Sequence, residues 1–573
     1  MSRNVISIGF IALAGLGLAV AQPTRQPQPP VESTAGLVVS VNGIASDVGA
    51  AILAKGGNAV DAAVATAFAL AVVHPSAGNI GGGGFMIIRP TTGEPVAIDY
   101  REKAPLKSTK TMYLDSAGNI VRARTATGYL APGVPGTVRG LALAHKKFGS
   151  LPWKDVVAPA RMLAEKGFVL SDALARSING ELGRGMAPYP QSVRAYGKSE
   201  GTWKGGDTIV LADLGRTLHA IETQGADAFY TGWIADSIAT TMAKGGGLIS
   251  KRDLAEYQAV ARVPVRGTYR GYEVISMPPP SSGGVALIEM LNILEGYDLA
   301  KSGRWSARTQ HLVIEAQRRA YLDRARFLGD PDFGSIPVAK LTSKAHAKQV
   351  AADIEPSKAT SSIALGKDIV TVAQPHESDE TTHFTVVDKK GMAVSNTFTL
   401  EGGYGSHVVV SGAGFILNNE MGDFNKKPGT TDTTGNIGTL PNQIEPGKRM
   451  LSSMTPAIVT KNGQLFLVTG SPGGRTIINT VLDVVLNTID FGMNVREAVD
   501  APREDSEWLP DVAVFEKNAL ADSVVKQLEA MGHRVRISNG AQGDAHSIFF
   551  DAKTKTAYGA NDRRSPDSKA SKP

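Results

Sequence analysis

Hydrophobic and polar positions alternate most cleanly along Thr381-Thr382-His383-Phe384-Thr385-Val386-Val387-Asp388, and again over residues 392–400. A period of two, rich in β-branched side chains, predicts two strands. The link Lys389-Lys390-Gly391 ends on glycine. A three-residue loop with its glycine in the left-handed region is a favoured hairpin connection. Pairing Asp388 with Met392 then sets Thr381 opposite Thr399, so two hydroxyls meet at the open end of the hairpin. A slip of one residue would undo that meeting.

Earlier in the chain the period is helical. Residues 47–55 predict a helix stopped by Gly56-Gly57, and Asn58-Ala59-Val60-Asp61 opens a second that runs to residue 71. That second helix is apolar nearly all round, which predicts burial on every side. Gly81-Gly82-Gly83-Gly84 follows, just before a predicted strand at 85–89. No Gly-Lys-Ser/Thr comes after it, so close backbone packing accounts for the glycines better than a phosphate cradle. A strand at 95–100 delivers Arg101 at its end. Residues 130–330 are mostly helical in pattern, with a rigid Pro-rich loop at 277–284 and a basic helix at 316–328 that stops at Gly329-Asp330-Pro331-Asp332. Residues 341–380 predict a helix and then a polar segment. Beyond the hairpin, residues 426–445 form a long aperiodic stretch, of the kind that is either functional or disordered. Asn462-Gly463 marks another hairpin, and Gly473-Gly474 precedes a helix predicted at 476–487, where backbone N–H groups are available.

The N-terminus addresses compartment. Arg3, an apolar run over residues 5–20 and Ala19-Val20-Ala21 before Gln22 match a secretory signal peptide, residues 1–21, with removal on export to the periplasm or medium. Residues 22–34, rich in Pro and Gln, are expected to be a linker outside the core. No other stretch has the length and apolarity of a membrane span. The net charge of +6 is small for 573 residues, and no Lys/Arg stripe interleaves with aromatics, which argues against nucleic-acid binding. The absence of cysteine removes disulfides, thiolate metal sites and cysteine nucleophiles. The histidines, His383 included, show no metal-ligand spacing and are expected to be structural.

Read alone, Thr381 is a residue of a Thr-rich strand. The set of motifs changes that. Glu380-Thr381-Thr382-His383, Leu417-Asn418-Asn419-Glu420-Met421-Gly422-Asp423-Phe424, Leu451-Ser452-Ser453-Met454 and Gly470-Ser471-Pro472-Gly473-Gly474 resemble the γ-glutamyltranspeptidase family. So do Asn58-Ala59-Val60-Asp61, the tetraglycine, Asp99-Tyr100-Arg101-Glu102 and Gly329-Asp330-Pro331-Asp332, in family order over about residues 35–565.

The resemblance implies an α+β fold, the four-layer αββα sandwich of N-terminal nucleophile hydrolases. It implies a precursor that cuts itself between Glu380 and Thr381 into a large subunit, 35–380, and a small subunit, 381–573. Thr381 would be the nucleophile, Thr399 its helper, and Gly473 and Gly474 the oxyanion donors. Arg101, Ser452 and Ser453 would hold the α-carboxylate of a γ-glutamyl group, and Glu401, Glu420 and Asp423 its α-ammonium, with Arg101 and Asp423 at opposite ends of the clamp. The expected substrates are glutathione and other γ-glutamyl amides, with water, amino acids or dipeptides as acceptors and no cofactor or metal. Residues 426–445 match the family's lid, without an aromatic gate in Gly429-Thr430-Thr431-Asp432-Thr433-Thr434-Gly435. Two other readings stand beside this one: a cephalosporin or glutaryl acylase of the same superfamily, and a non-catalytic periplasmic binding protein.

Overall fold

The computed structural model describes residues 28–370, 381–433 and 435–573. The expected signal peptide, the start of the linker and Glu380 lie outside the described residues. The fold is mixed α+β, built on two seven-stranded sheets whose neighbouring strands all run antiparallel. One sheet runs in the order 569–571, 36–40, 382–388, 393–399, 83–89, 96–99, 260–262. The other runs 31–33, 556–560, 547–551, 464–469, 457–461, 272–276, 265–269.

Alternation decides how these sheets pack. Leu37, Val39, Phe85 and Ile87 of the first sheet share an apolar cluster with Ile275, Ile458, Val468 and Ile548 of the second. Their alternate neighbours Val38, Met86, Ile88, Phe384 and Val386 face the opposite way, into a cluster with the Ala59–Val73 helix. On the far face of the second sheet, Val274, Val459 and Leu467 pack with the helices Gly283–Leu294, Ala307–Phe327 and Ile477–Ile489.

The expected all-round burial of the second helix holds: every residue of Ala59–Val73 is buried. Asn58 caps it reciprocally with Asp61. The tetraglycine is close backbone packing. A Cβ on Gly81 would lie 2.1 Å from the Ile416 carbonyl oxygen, and one on Gly82 2.1 Å from that of Thr399.

Three expectations need correction. The linker gives way to structure before residue 34, because Val31–Ser33 pairs with Thr556–Ala560 as an edge strand. The region 130–330 also carries strands, since Val265–Tyr269 and Tyr272–Ser276 form a hairpin that closes the second sheet. The basic helix begins at Ala307, well before residue 316. Among the described residues, no helix is long and apolar enough to cross a membrane.

Candidate active site

The hairpin forms in the expected register. Gly391 has φ +85°, and Thr382 pairs with Phe398. Thr381, largely buried, sits one residue ahead of its strand, where the Thr399 hydroxyl donates to the Thr381 hydroxyl at 3.4 Å. The Thr399 oxygen accepts the Glu401 N–H at 2.8 Å, which orients its proton toward Thr381. Glu401 itself takes φ +77°, a left-handed conformation uncommon outside glycine and asparagine. Two residues along the strand, His383 is fully buried and bonded through Nδ1 to the Thr397 hydroxyl at 2.9 Å. Burial, helped by His546, holds its pKa well below the ordinary histidine value. A Cβ on Gly470 would lie 2.2 Å from its ring, so His383 is a tightly packed neutral side chain.

Gly473 and Gly474, at φ +128° and +56°, bring the chain into a short 3-10 turn and then the Ile477–Ile489 helix. The Thr476 amide and hydroxyl both donate to the Gly473 carbonyl, at 3.0 and 2.8 Å. Gly474 and Thr381 line one cavity, and Gly473 and Thr381 line the opening beside it.

The first cavity also gathers Arg101, Glu401, Glu420, Asp423, Ser452 and Ser453, all the other site residues expected from sequence. Their arrangement departs from a two-ended clamp. Arg101 is fully buried and ion-paired to Glu420 and Asp423 directly. Its Nε donates to the Met450 carbonyl at 3.3 Å, and Nη2 also donates to that of Leu451 at 3.0 Å. Arg101 and Asp423 therefore meet. Burial opposes the Arg101 charge, but Glu420, Asp423 and Glu102 outweigh it and hold its pKa above the ordinary value. Burial pushes Glu420 up strongly, against Arg101 and reinforced by Glu102, Asp423 and Glu401. Glu102, equally buried, is raised to about 7 by burial against the pull of Arg101.

Side chains not singled out from sequence hold these groups in place. Asn418 Oδ1 accepts from the amides of Gly133 and Glu420, at 2.8 and 3.0 Å. Asn442 donates to the Asp423 carbonyl at 2.7 Å and accepts the Leu451 amide at 2.8 Å, tying the acidic loop to the serine loop. Ser452 is fixed by the Pro-rich loop: its carbonyl accepts from the amide and hydroxyl of Ser282, and its amide donates to Pro280. The Ser453 hydroxyl accepts from Arg324 Nη2 at 3.1 Å. Arg324 lies on the helix read from sequence only as basic, and spacing along that helix does not say which arginine faces a cavity.

The aperiodic segment borders the cavity through Lys426, Thr430, Gly435, Asn436 and Thr439. Thr439 bonds the Ala325 carbonyl at 2.6 Å, and Arg475 bonds that of Gly435 at 3.1 Å. Elsewhere, folding brings together His311, Glu315 and His533, and separately Glu289, Asp323 and His346, groupings that sequence spacing did not reveal. Much of their polar capacity is spent locally: His311 bonds His533 at 2.7 Å, and His346 bonds Asp323 at 2.6 Å.

A threonine at the start of a strand, a second hydroxyl beside it, a glycine turn and a charged cavity that they line with the surrounding loops are the arrangement of an amide-cleaving enzyme of the N-terminal nucleophile kind. The family model for gamma-glutamyltranspeptidase matches residues 45–571, and the chain belongs to that family. It is 48% identical over 541 residues to the glutathione hydrolase proenzyme of Escherichia coli (strain K12), covering 94% of this chain and 92% of that one. Among solved structures it resembles the Helicobacter pylori gamma-glutamyltranspeptidase at 47% identity and TM-score 0.56, over 57% of this chain and 94% of that chain. It also resembles a cephalosporin acylase from Bacillus halodurans at 26% identity and TM-score 0.84, over 96% of this chain and 98% of that one.

Proposed function

We propose that this chain is the precursor of a γ-glutamyltransferase and glutathione hydrolase with Thr381 as its nucleophile. The observation that carries this is the single cavity that Thr381 shares with Thr399, Gly474 and the charged residues 101, 401, 420 and 423. A hydroxyl needs a base, and a backbone amide is not one. Cleavage between Glu380 and Thr381 frees an α-amine, whose unperturbed pKa of about 7.7–8.0 suits that role. In the precursor the Thr381 hydroxyl attacks the Glu380 carbonyl, and hydrolysis of the resulting ester leaves a large subunit, 35–380, and a small one, 381–573. The packed helices and sheets are read as the αββα sandwich of this superfamily, shared by both subunits. The signal-like residues 1–21 direct the protein to the periplasm or medium.

In turnover, Thr381 attacks the γ-glutamyl carbonyl, Thr399 orients its hydroxyl, and the N–H groups of Gly473 and Gly474 stabilise the oxyanion. One such donor is typically worth roughly 3–4 kcal/mol of barrier. The ester then passes to water or to the amine of an amino acid or dipeptide. Asp423, Glu401 and Glu420 receive the α-ammonium. Arg101, Ser452 and Ser453 receive the α-carboxylate. The likeness to a cephalosporin acylase favours a second reading, a glutaryl-type amidase. A glutaryl amide lacks the ammonium and would leave buried carboxylates without their cation, a cost on the order of 3–5 kcal/mol. The test is kcat/KM on a γ-glutamyl and a glutaryl chromogenic amide, for wild type and Thr381→Ala. A preference for the γ-glutamyl amide of several hundred-fold, lost with Thr381, is expected. Wild-type values within tenfold of each other would transfer the protein to the acylase reading.

A further inference from the structure

Away from the catalytic cavity, three helices meet around a cluster that the proposed chemistry does not use. Gly283–Leu294 contributes Glu289, Ala307–Phe327 contributes Asp323, and Lys344–Ala351 contributes His346. All three side chains are buried, Glu289 to within 1% of full burial. One donor atom from each lies within 4.8 Å of the other two. His346 Nε2 stands 2.6 Å from Asp323 Oδ2 and 3.8 Å from Glu289 Oε1. Among the described residues, Glu289 Oε1 has no hydrogen-bond partner, nor has His346 Nδ1. The same holds for Oδ1 of Asn292, one helical turn beyond Glu289 and on the same face. The Asn292 amide nitrogen is already committed to the Thr342 carbonyl at 2.8 Å, so the oxygen is the end left over.

Carboxylates this deep need positive charge, because an anion buried without a partner is costly. Arg326 Nη1 comes to 3.8 Å from Asp323 Oδ1, but its closer partner is Asp368 at 2.6 Å. Among the described residues, no lysine or arginine comes within ion-pair distance of Glu289. The other histidine–acid grouping shows what a satisfied cluster looks like. Glu315 pairs with Arg318 and Arg319 and accepts the Thr360 amide. His311 uses both ring nitrogens, on His533 and on the Glu355 carbonyl. That grouping has little left for a ligand, whereas the one at Glu289 has unspent donors on three side chains.

We propose that Glu289, Asp323 and His346 bind a divalent transition-metal ion, Zn2+, as a structural site that joins three helices behind the second sheet. One imidazole with carboxylate and amide oxygens is a donor set that suits zinc. Tetrahedral ligation at about 2.0–2.1 Å holds donor atoms roughly 3.3–3.4 Å apart. The separations of 2.6 and 3.8 Å straddle that spacing, so shifts of under about 1 Å seat the ion. Asn292 Oδ1 is the group placed to complete the tetrahedron. The ion supplies the charge that the two acids lack, and the site does not depend on the γ-glutamyl reading.

The experiment uses the full chain, purified without a histidine tag, incubated with Zn2+ and passed over a desalting column. Plasma mass spectrometry should find about one zinc per chain in wild type and in His311→Asn, and less than about a tenth of that in Glu289→Gln and His346→Gln. Stripping wild type with dipicolinate should lower its melting temperature by at least about 3 °C, and Zn2+ but not Mg2+ should restore it. The two Gln variants should show no such response. If they do not fold, anomalous diffraction at the zinc edge from wild-type crystals carries the test, with a peak expected about 2.0–2.3 Å from all three side chains. Wild type that retains no zinc would overturn the proposal. So would zinc held equally by the folded Gln variants, zinc lost with His311→Asn instead, or an anomalous peak elsewhere.

Discussion

Three residues carry tests that depend on their own geometry. Glu401 holds φ +77° while its amide fixes Thr399. Asparagine tolerates that conformation and valine does not. Glu401→Asn should therefore keep turnover within about tenfold, whereas Glu401→Val should lose it and also lower the melting temperature. Equal activity in the two variants would mean the backbone conformation is not what matters. Gly473, at φ +128°, has no room for a side chain, because a Cβ would sit 2.6 Å from the Thr476 hydroxyl oxygen. Gly473→Ala should tilt the N–H groups proposed as oxyanion donors and cut kcat by roughly 100- to 1000-fold with KM little changed; a KM effect alone would count against the assignment. Glu102 makes a pH prediction. Burial raises its pKa from 4.5 to about 7 despite Arg101. A carboxyl raised on folding favours the fold most below its unfolded pKa. That contribution falls away as pH climbs from about 4.5 to about 7 and stays lost above. The stability gained by Glu102→Gln should accordingly grow over this window, to about 1–3 kcal/mol, and level off. Thermal melts at a series of pH values measure it, and a difference that ignores pH would show that Glu102 does not titrate there.

At the scale of elements, sequence was most legible where one local rule was sufficient. The Lys389-Lys390-Gly391 loop and the alternation around it gave the register that sets Thr381 beside Thr399, because the period of two leaves little freedom once a face is buried. The hairpin Val265–Tyr269 to Tyr272–Ser276 was missed inside a helical reading. Its signal was the Arg270-Gly271 pair, both left-handed at φ 48° and 80°, and arginine is not the residue that usually announces such a turn. The charged end of the site was legible as a roster of residues but not as contacts. Nothing in the spacing of positions 101, 420 and 423 says that the arginine pairs with both acids, nor that residue 324 reaches Ser453 from a helix a hundred and more positions away in sequence. The hairpin itself is testable. Thr399→Val should leave the strand pairing intact, yet remove the donor to Thr381 and the acceptor for Glu401. Self-cleavage and amide hydrolysis should both slow, by roughly 10- to 100-fold. A variant that processes normally but hydrolyses slowly would confine the role of Thr399 to turnover.

At the scale of the whole molecule, the inferred cut falls in an unusual place, since it divides both sheets between the two products. Thr382–Asp388 pairs with Gly36–Ser40, Ala393–Thr399 with Gly83–Arg89, and Lys569–Ser571 with Gly36–Ser40 on its other edge. In the second sheet, Thr556–Ala560 pairs with Val31–Ser33 and Ala457–Lys461 with Tyr272–Ser276. Every one of these pairings joins a strand before residue 380 to one after it. The apolar cluster between the sheets is likewise shared, by Leu37, Phe85 and Ile275 on one side of the cut and Ile458, Val468 and Ile548 on the other. Neither product can leave without exposing ladder hydrogen bonds and core side chains to water, so breaking one peptide bond does not release a subunit. The matured protein should run as two bands on a denaturing gel and elute as one species in native buffer. Its two pieces should unfold together in urea in one transition followed by fluorescence and by circular dichroism. Thr381→Ala should give a single band under both conditions and elute at nearly the same volume, because the precursor already holds the strands in place. Products that part in native buffer without denaturant would show that the sheets do not hold the halves together, and two separated urea transitions would show that each half has a core of its own.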